Sequence, residues 1–181
     1  TATNYAVTLS DTSASAANLN TINADTTGLV TATNVTTISS STFADVNTLI
    51  SNRGISGNAI NIDNDYNVTL SDVSISAANI KVVNNDTSGT INISAATIIT
   101  SSTIADVLEI VQNTGSVFTT ATNYAVTLSD ATISAANVKL INADNGTGTI
   151  DISAATTITS STIADVLEIV QNTGSVFTTA T

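Results

Sequence analysis

Two sets of aspartates recur along the sequence at positions where their carboxylates could do chemistry. The first set closes a strand-like segment in each third of the chain: Asp11, Asp72 and Asp130. The second set lies in turns rich in Asn, Asp and Gly: Asp25, Asp86 and Asp144. Oxygen ligands suit Ca²⁺, so both sets are candidates for weak calcium binding. The competing interpretation is turn formation, because Asp and Asn side chains hydrogen-bond their own backbone at bends.

Other reactive or ligating side chains are scarce. The sequence contains no His and no Cys, and its three cationic residues are Arg53, Lys81 and Lys139. Nothing is therefore available to activate one of the many Ser or Thr hydroxyls, and thiolate metal sites and disulfides are excluded. Each prominent Asp also recurs with the repeat, whereas a catalytic residue seldom occurs in triplicate. We expect no enzymatic activity, and calcium is the one cofactor that the sequence suggests.

Pairs of threonines suggest a different kind of ligand. Thr1 and Thr3 flank an alanine, and so do Thr120 and Thr122. Regular threonine arrays on repeat proteins can bind ice. Threonine also has a high β propensity and suits any solvated strand face, and the middle third of the chain lacks such a pair in this region. Ice, glycan and calcium therefore all stay open as ligands of a repeated face.

The charge of the chain restricts its partners. Fourteen acidic residues against three basic ones give a net charge of −11 at pH 7. Such a surface repels phosphate backbones, so we expect no nucleic acid as a partner. Anionic membranes are disfavoured for the same reason, and no apolar run is long enough for a transmembrane helix, so we expect no membrane insertion. The richness in Ser, Thr, Asn and Ala favours an extracellular location.

An internal repeat carries these residues. Residues 100–122 recur without a change at 159–181. Three repeats align from Tyr5, Tyr66 and Tyr124 and correspond to residues 1–60, 61–119 and 120–181. The first repeat is the longer of the first two, and its extra residues fall at 54–59. Because that segment is rich in Gly, Ser and Asn, it is typical of a surface loop.

Each repeat predicts the same order of strands and helices. Tyr, Val and Leu alternate at the start of each repeat and so face one side of a strand. A serine then precedes a helical pattern as the predicted N-cap: Ser15, Ser76 and Ser134. Two short β-like runs follow, and a threonine is the predicted N-cap of a second helix: Thr42, Thr103 and Thr162. The last helix carries a predicted wide apolar stripe: Ile163, Val166, Leu167, Ile169 and Val170.

The two halves of each repeat resemble one another, which reduces the elementary unit to two strands and one short helix in roughly 28 to 30 residues. No single unit has enough apolar surface to fold alone, so neighbours must stack. The sequence thus predicts an α/β repeat protein, a solenoid of six strand–strand–short-helix units with predominantly parallel β-structure. A closed globular α/β domain is the alternative. Curvature stays open, because stacked strands are about 4.8 Å apart whereas packed helices need about 8 to 10 Å.

The repeat carries a recognisable string. From Leu128 the chain reads Leu-Ser-Asp, two residues, then Ile-Ser-Ala-Ala-Asn, with Ile-Asn-Ala-Asp and a Thr/Gly turn soon after. This string resembles the tandem repeats of very large secreted surface proteins of cyanobacteria and other marine bacteria, and the resemblance covers the whole chain. It implies a cell-surface location. Those proteins often carry calcium-binding nonapeptides of the Gly-Gly-x-Gly-x-Asp type, which this sequence lacks, so the resemblance does not imply calcium.

These observations favour a mechanical function. We expect a structural repeat segment of an extracellular bacterial filament, surface layer or adhesin stalk. Neither end of the sequence departs from the repeat toward a polar cap, so we expect flanking repeats or self-association of identical chains head to tail. The alternative is an extracellular solenoid that binds calcium, glycan or ice.

Overall fold

The chain folds as an α/β protein with parallel sheets. The computed structural model describes residues 3–54, 59–159, 161–171 and 177–179. With elements numbered in chain order, the helices in these residues are α1 Ala16–Asp25, α2 Phe43–Ser51, α3 Ala77–Asn84, α4 Ile104–Val111, α5 Ala135–Asp144 and α6 Ile163–Gln171. The insertion predicted as a surface loop falls mainly on residues 55–58, which lie outside the described residues.

The strands form four open sheets. The first sheet has the order β1 Val7–Thr8, β3 Val30–Thr31, β5 Ile60–Asn61. The second has the order β2 Ser13–Ser15, β4 Thr37–Ser41, β6 Asn67–Leu70, β8 Thr90–Asn92, β10 Val117–Thr119. The third has the order β7 Ser74–Ser76, β9 Ile98–Ser102, β11 Ala125–Leu128, β13 Ile150–Asp151, β15 Phe177–Thr178. The fourth pairs β12 Thr132–Ile133 with β14 Thr157–Ile158.

These helices and strands divide between two compact units. The first unit comprises Thr1–Asp72, Val82–Ile93 and Gly115–Thr119, and it contains the first and second sheets. The second unit comprises Val73–Lys81, Ser94–Thr114 and Thr120–Thr181, and it contains the third and fourth sheets. Neither unit coincides with one sequence repeat, because each five-stranded sheet draws strands from two repeats.

Every strand pair is parallel and joins segments distant in the chain. Val7 lies beside Val30, and Val30 beside Ile60, which are separations of 23 and 30 residues. The residues that connect two paired strands form a helix or a turn, which returns the chain so that the second strand can run parallel to the first. The parallel β-structure predicted from the sequence is therefore confirmed.

Aliphatic side chains at matching register positions build the core of each five-stranded sheet. In the second sheet, Ile38 lies beside Val68, and Val68 beside Ile91. In the third sheet, Ile99 lies beside Val126 in the same way. All five side chains are buried, and burying one Val or Ile contributes about 1.5 to 3 kcal/mol. Alternation along each strand thus produces a narrow core of small, regular side chains.

Most predicted helix caps are present. The hydroxyls of Ser15 and Ser76 accept hydrogen bonds from the backbone N–H groups three residues later. Those of Thr42, Thr103 and Thr162 do the same at the second helix of each repeat. Ser134 is the exception. It occupies the N-cap position of α5, but its side chain makes no capping hydrogen bond, so the prediction of a side-chain cap is wrong there.

The apolar stripe predicted for α6 is only partly buried. Ile169 is covered, whereas Ile163, Leu167 and Val170 are exposed. The residues of α4 that are equivalent to these three, Ile104, Leu108 and Val111, are half-buried. Helix α4 packs against α5, and so does α6, within the second unit. The outer side of α6 has no such neighbour among the described residues, which leaves an apolar helix face in contact with solvent.

Candidate functional site

The tyrosine that opens each repeat is hydrogen-bonded to an aspartate 20 residues later. The hydroxyl of Tyr66 donates to Oδ2 of Asp86 at 2.6 Å, and that of Tyr124 to Oδ2 of Asp144 at 2.5 Å. In the first repeat, Tyr5 donates to Asp25. In the second set of candidate calcium ligands, one carboxylate oxygen of each aspartate therefore already accepts a hydrogen bond from a tyrosine. The sequence carries the signal for this contact, a constant spacing that survives the length differences between repeats, but sequence analysis missed it.

Burial distinguishes the three tyrosines. Tyr66 and Tyr124 are 0% and 3% exposed, whereas Tyr5 is 42% exposed. Burial, and then the hydrogen bond to the carboxylate, raises the pKa of Tyr66 and of Tyr124 well above the ordinary 10.0. For Tyr5, the hydrogen bond to Asp25 is the main reason why the pKa is raised. These hydroxyls stay protonated at neutral pH and act as hydrogen-bond donors.

The turn after each of these aspartates packs tightly on the tyrosine backbone. The hydroxyl of Thr87 donates to the carbonyl oxygen of Tyr66 at 2.5 Å and accepts from the N–H of Gly89 at 3.0 Å. A Cβ on Gly89 would overlap that same carbonyl oxygen. In the third repeat the turn is one residue longer, and the longer side chain of Asn145 reaches the carbonyl oxygen of Tyr124 at 3.2 Å. The longer turn thus keeps a hydrogen bond to the carbonyl oxygen of the tyrosine.

Arg53 joins one of these pairs and has no equivalent in the third repeat. Its Nη1 lies 2.5 Å from Oδ2 of Asp86, and its Nη2 donates to the carbonyl oxygen of Ile62 at 3.0 Å. The guanidinium carbon is 5.9 Å from the centre of the Tyr66 ring. Arg53, Asn64 and Asp86 border an open cleft of about 540 Å³. Because the guanidinium is already engaged, Arg53 closes a structural cluster and offers little to an anionic ligand.

The first set of aspartates caps helices. Oδ2 of Asp72 accepts from the backbone N–H of Phe43, the first residue of α2, at 2.7 Å. Oδ2 of Asp130 accepts from the N–H of Ile104, the first residue of α4, also at 2.7 Å. A carboxylate is favourable at a helix N-terminus, where unpaired N–H groups carry partial positive charge. Asp11 is exposed, and its side chain makes no hydrogen bond within the described residues.

Serines at or after the ends of strands cap the other helices. Ser41 Oγ accepts from the backbone N–H of Ala16 at 3.0 Å and donates to the carbonyl oxygen of Ser39. Ser102 and Ser161 make the equivalent contacts to Ala77 and Ala135, both at 2.8 Å. The register irregularity after Ile38 in β4 recurs in the third sheet, where β9 pairs with β11, and it precedes the capping serine in each case. The serine is thereby aimed at a helix that starts 25 or 26 residues earlier.

Lysines tie neighbouring helices together. Lys81 on α3 contacts Asp106 at 2.8 Å and Glu109 at 3.3 Å, both on α4. Lys139 on α5 contacts Asp165 at 3.4 Å and Glu168 at 3.2 Å on α6. The hydrogen bond from Lys81 is the main reason why the pKa of Asp106 is lowered below 3.8. These partly exposed pairs contribute little each, but they fix which helix faces which.

The candidate ligands do not converge on a metal or ice site in the described residues. No group of three or more His, Cys, Asp or Glu side chains there is arranged to hold a metal ion. Weak calcium binding by the six aspartates stays the alternative to a structural role for them. Thr120 and Thr122 precede β11 and lie outside any strand, and Thr1 is outside the described residues. The Thr120 pair therefore does not form the flat strand array that ice binding would use.

Comparisons with known proteins identify no family for this chain. No family model matches it, and no curated protein or solved structure shows significant similarity to it. Among the described helices, none combines the length and apolar character that a membrane crossing demands. What the recurring polar residues do must therefore be inferred from their contacts, and those contacts are hydrogen bonds and ion pairs between parts of the chain itself.

Proposed function

We propose that this chain is a structural repeat segment of an extracellular bacterial filament, surface layer or adhesin stalk, with no catalytic role. Its finer architecture in this proposal is a solenoid of six strand–strand–helix units. In such a segment the repeats set length and stiffness, and identical chains associate end to end. Its polar side chains hold the strand–strand–helix units in register through hydrogen bonds and ion pairs.

The observation that carries the proposal is the recurrence of contacts between successive units. Asp72 hydrogen-bonds the N–H of Phe43, and Asp130 that of Ile104. Each aspartate follows a strand, and each contact reaches the helix of the preceding strand–strand–helix unit. Ser41 reaches back to Ala16 in the same sense, from a strand to a helix start 25 residues earlier. Polar residues that recur in this way are accounted for by stacking, which is the role that a mechanical repeat needs.

The spacing of paired strands supports the solenoid. Successive pairs in the third sheet place Ile99 beside Val126 and Val126 beside Ile150, which are steps of 27 and 24 residues. Each step contains a helix or a turn that returns the chain to the same edge. Nearly constant steps of this kind are typical of coils added one after another.

The extracellular location in this proposal is supported by composition and by the resemblance of the repeat string to secreted surface proteins. With a net charge of −11 and 9% charged residues, the chain is rich in small polar residues and poor in cations. High negative charge favours solubility along the sides of an extended polymer.

The test is the assembly state of the purified chain. Sedimentation velocity over a wide concentration range and negative-stain electron microscopy should reveal end-to-end oligomers or filaments of uniform width. A binding module, the competing interpretation, predicts a stable monomer that saturates with calcium, glycan or ice. A chain that stays monomeric at the highest soluble concentration would contradict the proposal.

A further inference from the structure

The first and fourth sheets are incomplete versions of the other two. The second and third sheets have five strands each within the described residues, whereas the first has three and the fourth has two. The second sheet takes every second strand of the chain from β2 to β10, and the third sheet does the same from β7 to β15. Each complete sheet therefore combines two strands of one repeat with three strands of the next.

Sequence equivalence shows which strands the incomplete sheets lack. Strand β1, which follows Tyr5, is equivalent to β6 and β11, which follow Tyr66 and Tyr124. Strand β14 is equivalent to β4 and β9. In the complete sheets β4 pairs with β6, and β9 pairs with β11. The fourth sheet ends at β14 and the first begins at β1, so the pair that neither sheet contains is β14 with β1.

We propose that β1 of one chain adds in parallel to β14 of a second copy of this chain, so that the two-stranded and three-stranded sheets join into one sheet of five. This inference rests on the proposed function and supplies its contact. The free outer edge of β1 is called the head edge below, and the free outer edge of β14 is called the tail edge. The contact is heterologous, so it propagates into a fibre and does not stop at a dimer.

The complete sheets fix the register of this contact. Ile38 pairs with Val68, and Ile99 pairs with Val126. The equivalent pair is Val7 of one chain with Ile158 of the second chain. In the complete sheets the N–H of Asn67 donates to the carbonyl oxygen of Thr36, and that of Ala125 to Thr97, both at 2.9 Å. The equivalent bond runs from the N–H of Ala6 to the carbonyl oxygen of Thr156. No acceptor for the Ala6 N–H lies within the described residues.

Exposure of the two edges agrees with a missing partner. Ile158 is 43% exposed, whereas its equivalents Ile38 and Ile99 are buried. Val7 is half-buried, whereas its equivalents Val68 and Val126 are buried. The same side chain types at the same repeat positions therefore reach full burial only where the neighbouring strand is present. Adding the partner strand would bury them in the same way.

A second, independent contact points to the same partner. Asp72 and Asp130 cap the helices that begin at Phe43 and Ile104. The equivalent aspartate at the head edge is Asp11, and the equivalent helix start at the tail edge is Ile163, which is 82% exposed. In the proposed contact Asp11 caps α6 of the second chain. The partner strand must therefore bring an aspartate four residues after its core valine, which this chain does at the head edge.

Two blocking variants test the contact. Ala6→Pro removes the outward N–H of the head edge, and proline is tolerated at a strand edge. Ile158→Lys places a charge on the tail edge, a common means of preventing strand addition. Each variant alone should be monomeric, with the circular dichroism spectrum and urea midpoint that the unaltered chain shows at a concentration where it is monomeric. Their equimolar mixture should form a dimer, because the intact tail edge of one fits the intact head edge of the other.

A cysteine pair tests the register, since the natural sequence has no Cys. Under mild oxidation, Val7→Cys and Ile158→Cys chains should form the mixed disulfide about tenfold faster than Val73→Cys with Ile158→Cys, owing to proximity in the complex. Asp11→Ala should weaken association about fivefold to tenfold, the equivalent of one lost helix cap. The control Val73 is also exposed but lies on neither edge.

The outcomes separate this contact from the general proposal. If the unaltered chain assembles but the mixed variants stay monomeric, or if each variant alone still forms filaments, the β1–β14 contact is wrong and assembly uses another surface. If the unaltered chain never assembles, both the contact and the self-associating function are wrong. A dimer in the mixture together with the mixed disulfide supports both.

Discussion

The hydroxyl of Tyr124 lies 2.5 Å from Oδ2 of Asp144, and Tyr66 makes the same contact with Asp86 at 2.6 Å. Both tyrosines are buried, so each hydroxyl loses its contact with water and needs an acceptor within the protein. The carboxylate satisfies it and at the same time fixes the start of the following turn to the strand. This pair explains why a tyrosine and an aspartate recur 20 residues apart in each repeat.

Replacing Tyr124 by Phe should destabilise the chain by about 2 kcal/mol, because a hydrogen bond to a charged group is lost and the carboxylate of Asp144 is left half-buried. The free energy of urea-induced unfolding measures the loss. Tyr5→Phe is the matched control, since the Tyr5–Asp25 contact is exposed, and its effect should be clearly smaller. Equal losses at the two positions would show that burial does not govern the strength of this contact.

Alkaline pH should lower the stability of the chain. The pKa values of Tyr66 and Tyr124 are raised in the folded state above the ordinary 10.0. Above pH 10 the unfolded chain therefore releases phenolic protons that the folded chain retains, so unfolding becomes more favourable as pH rises. Below pH 10 this contribution is fully present.

Urea midpoints measured between pH 8 and pH 11 test this expectation. The Tyr66→Phe, Tyr124→Phe double variant should show a flatter pH dependence above pH 10 than the unaltered chain. Identical slopes for the two proteins would mean that other groups cause the alkaline loss.

Removing the aspartate that caps α2 should weaken the fold. Asp72→Ala leaves the N–H of Phe43 without its acceptor, and loss of a helix cap costs about 1 kcal/mol. Asp11→Ala, measured at a concentration where the chain is monomeric, should leave stability unchanged because Asp11 caps no helix among the described residues. Thermal unfolding of the two variants in parallel distinguishes them, and a similar loss from both would contradict the assigned roles.

Substituting Gly89 by Ala should be strongly destabilising. A Cβ at this position would overlap the carbonyl oxygen of Tyr66, and relief requires a backbone shift that costs about 1 to 3 kcal/mol. Gly54→Ala is a useful contrast, because Gly54 has a φ of 68° but open space around it. Its smaller loss, about 1 kcal/mol, reflects backbone conformation alone. Chemical denaturation compares the two, and a milder effect at Gly89 would show that the turn can relax.

Calcium should leave the unfolding midpoint unchanged at about 1 mM, the upper end of the range used by extracellular calcium modules. Asp86 and Asp144 already accept tyrosine hydroxyls, and Asp72 and Asp130 already cap helices. A calorimetric scan with and without calcium is the measurement, with magnesium as the control for ionic strength. A rise specific to calcium would revive the candidate sites and favour the binding interpretation.

Local signals in the sequence determined much of the fold. Thr42, Thr103 and Thr162 were identifiable as helix caps because a hydroxyl three residues before an acid acts within one turn of chain. The alternation that begins at Tyr66 predicted a strand with one buried face for the same reason. The repeat itself predicted that the strands pair in parallel. These features need no knowledge of distant parts of the chain.

Only the tertiary structure decided which acid meets which donor. Asp72 lies 29 residues from Phe43, and Tyr66 lies 20 residues from Asp86. Such distances become contacts only after the intervening helix or turn has returned the chain to a neighbouring strand. Composition and motif spacing therefore left both calcium ligation and structural bonding open. The same holds for Ile158, whose repeat equivalents are buried. Its exposure depends on whether a neighbouring strand lies beside it, and that is a property of the assembled sheet.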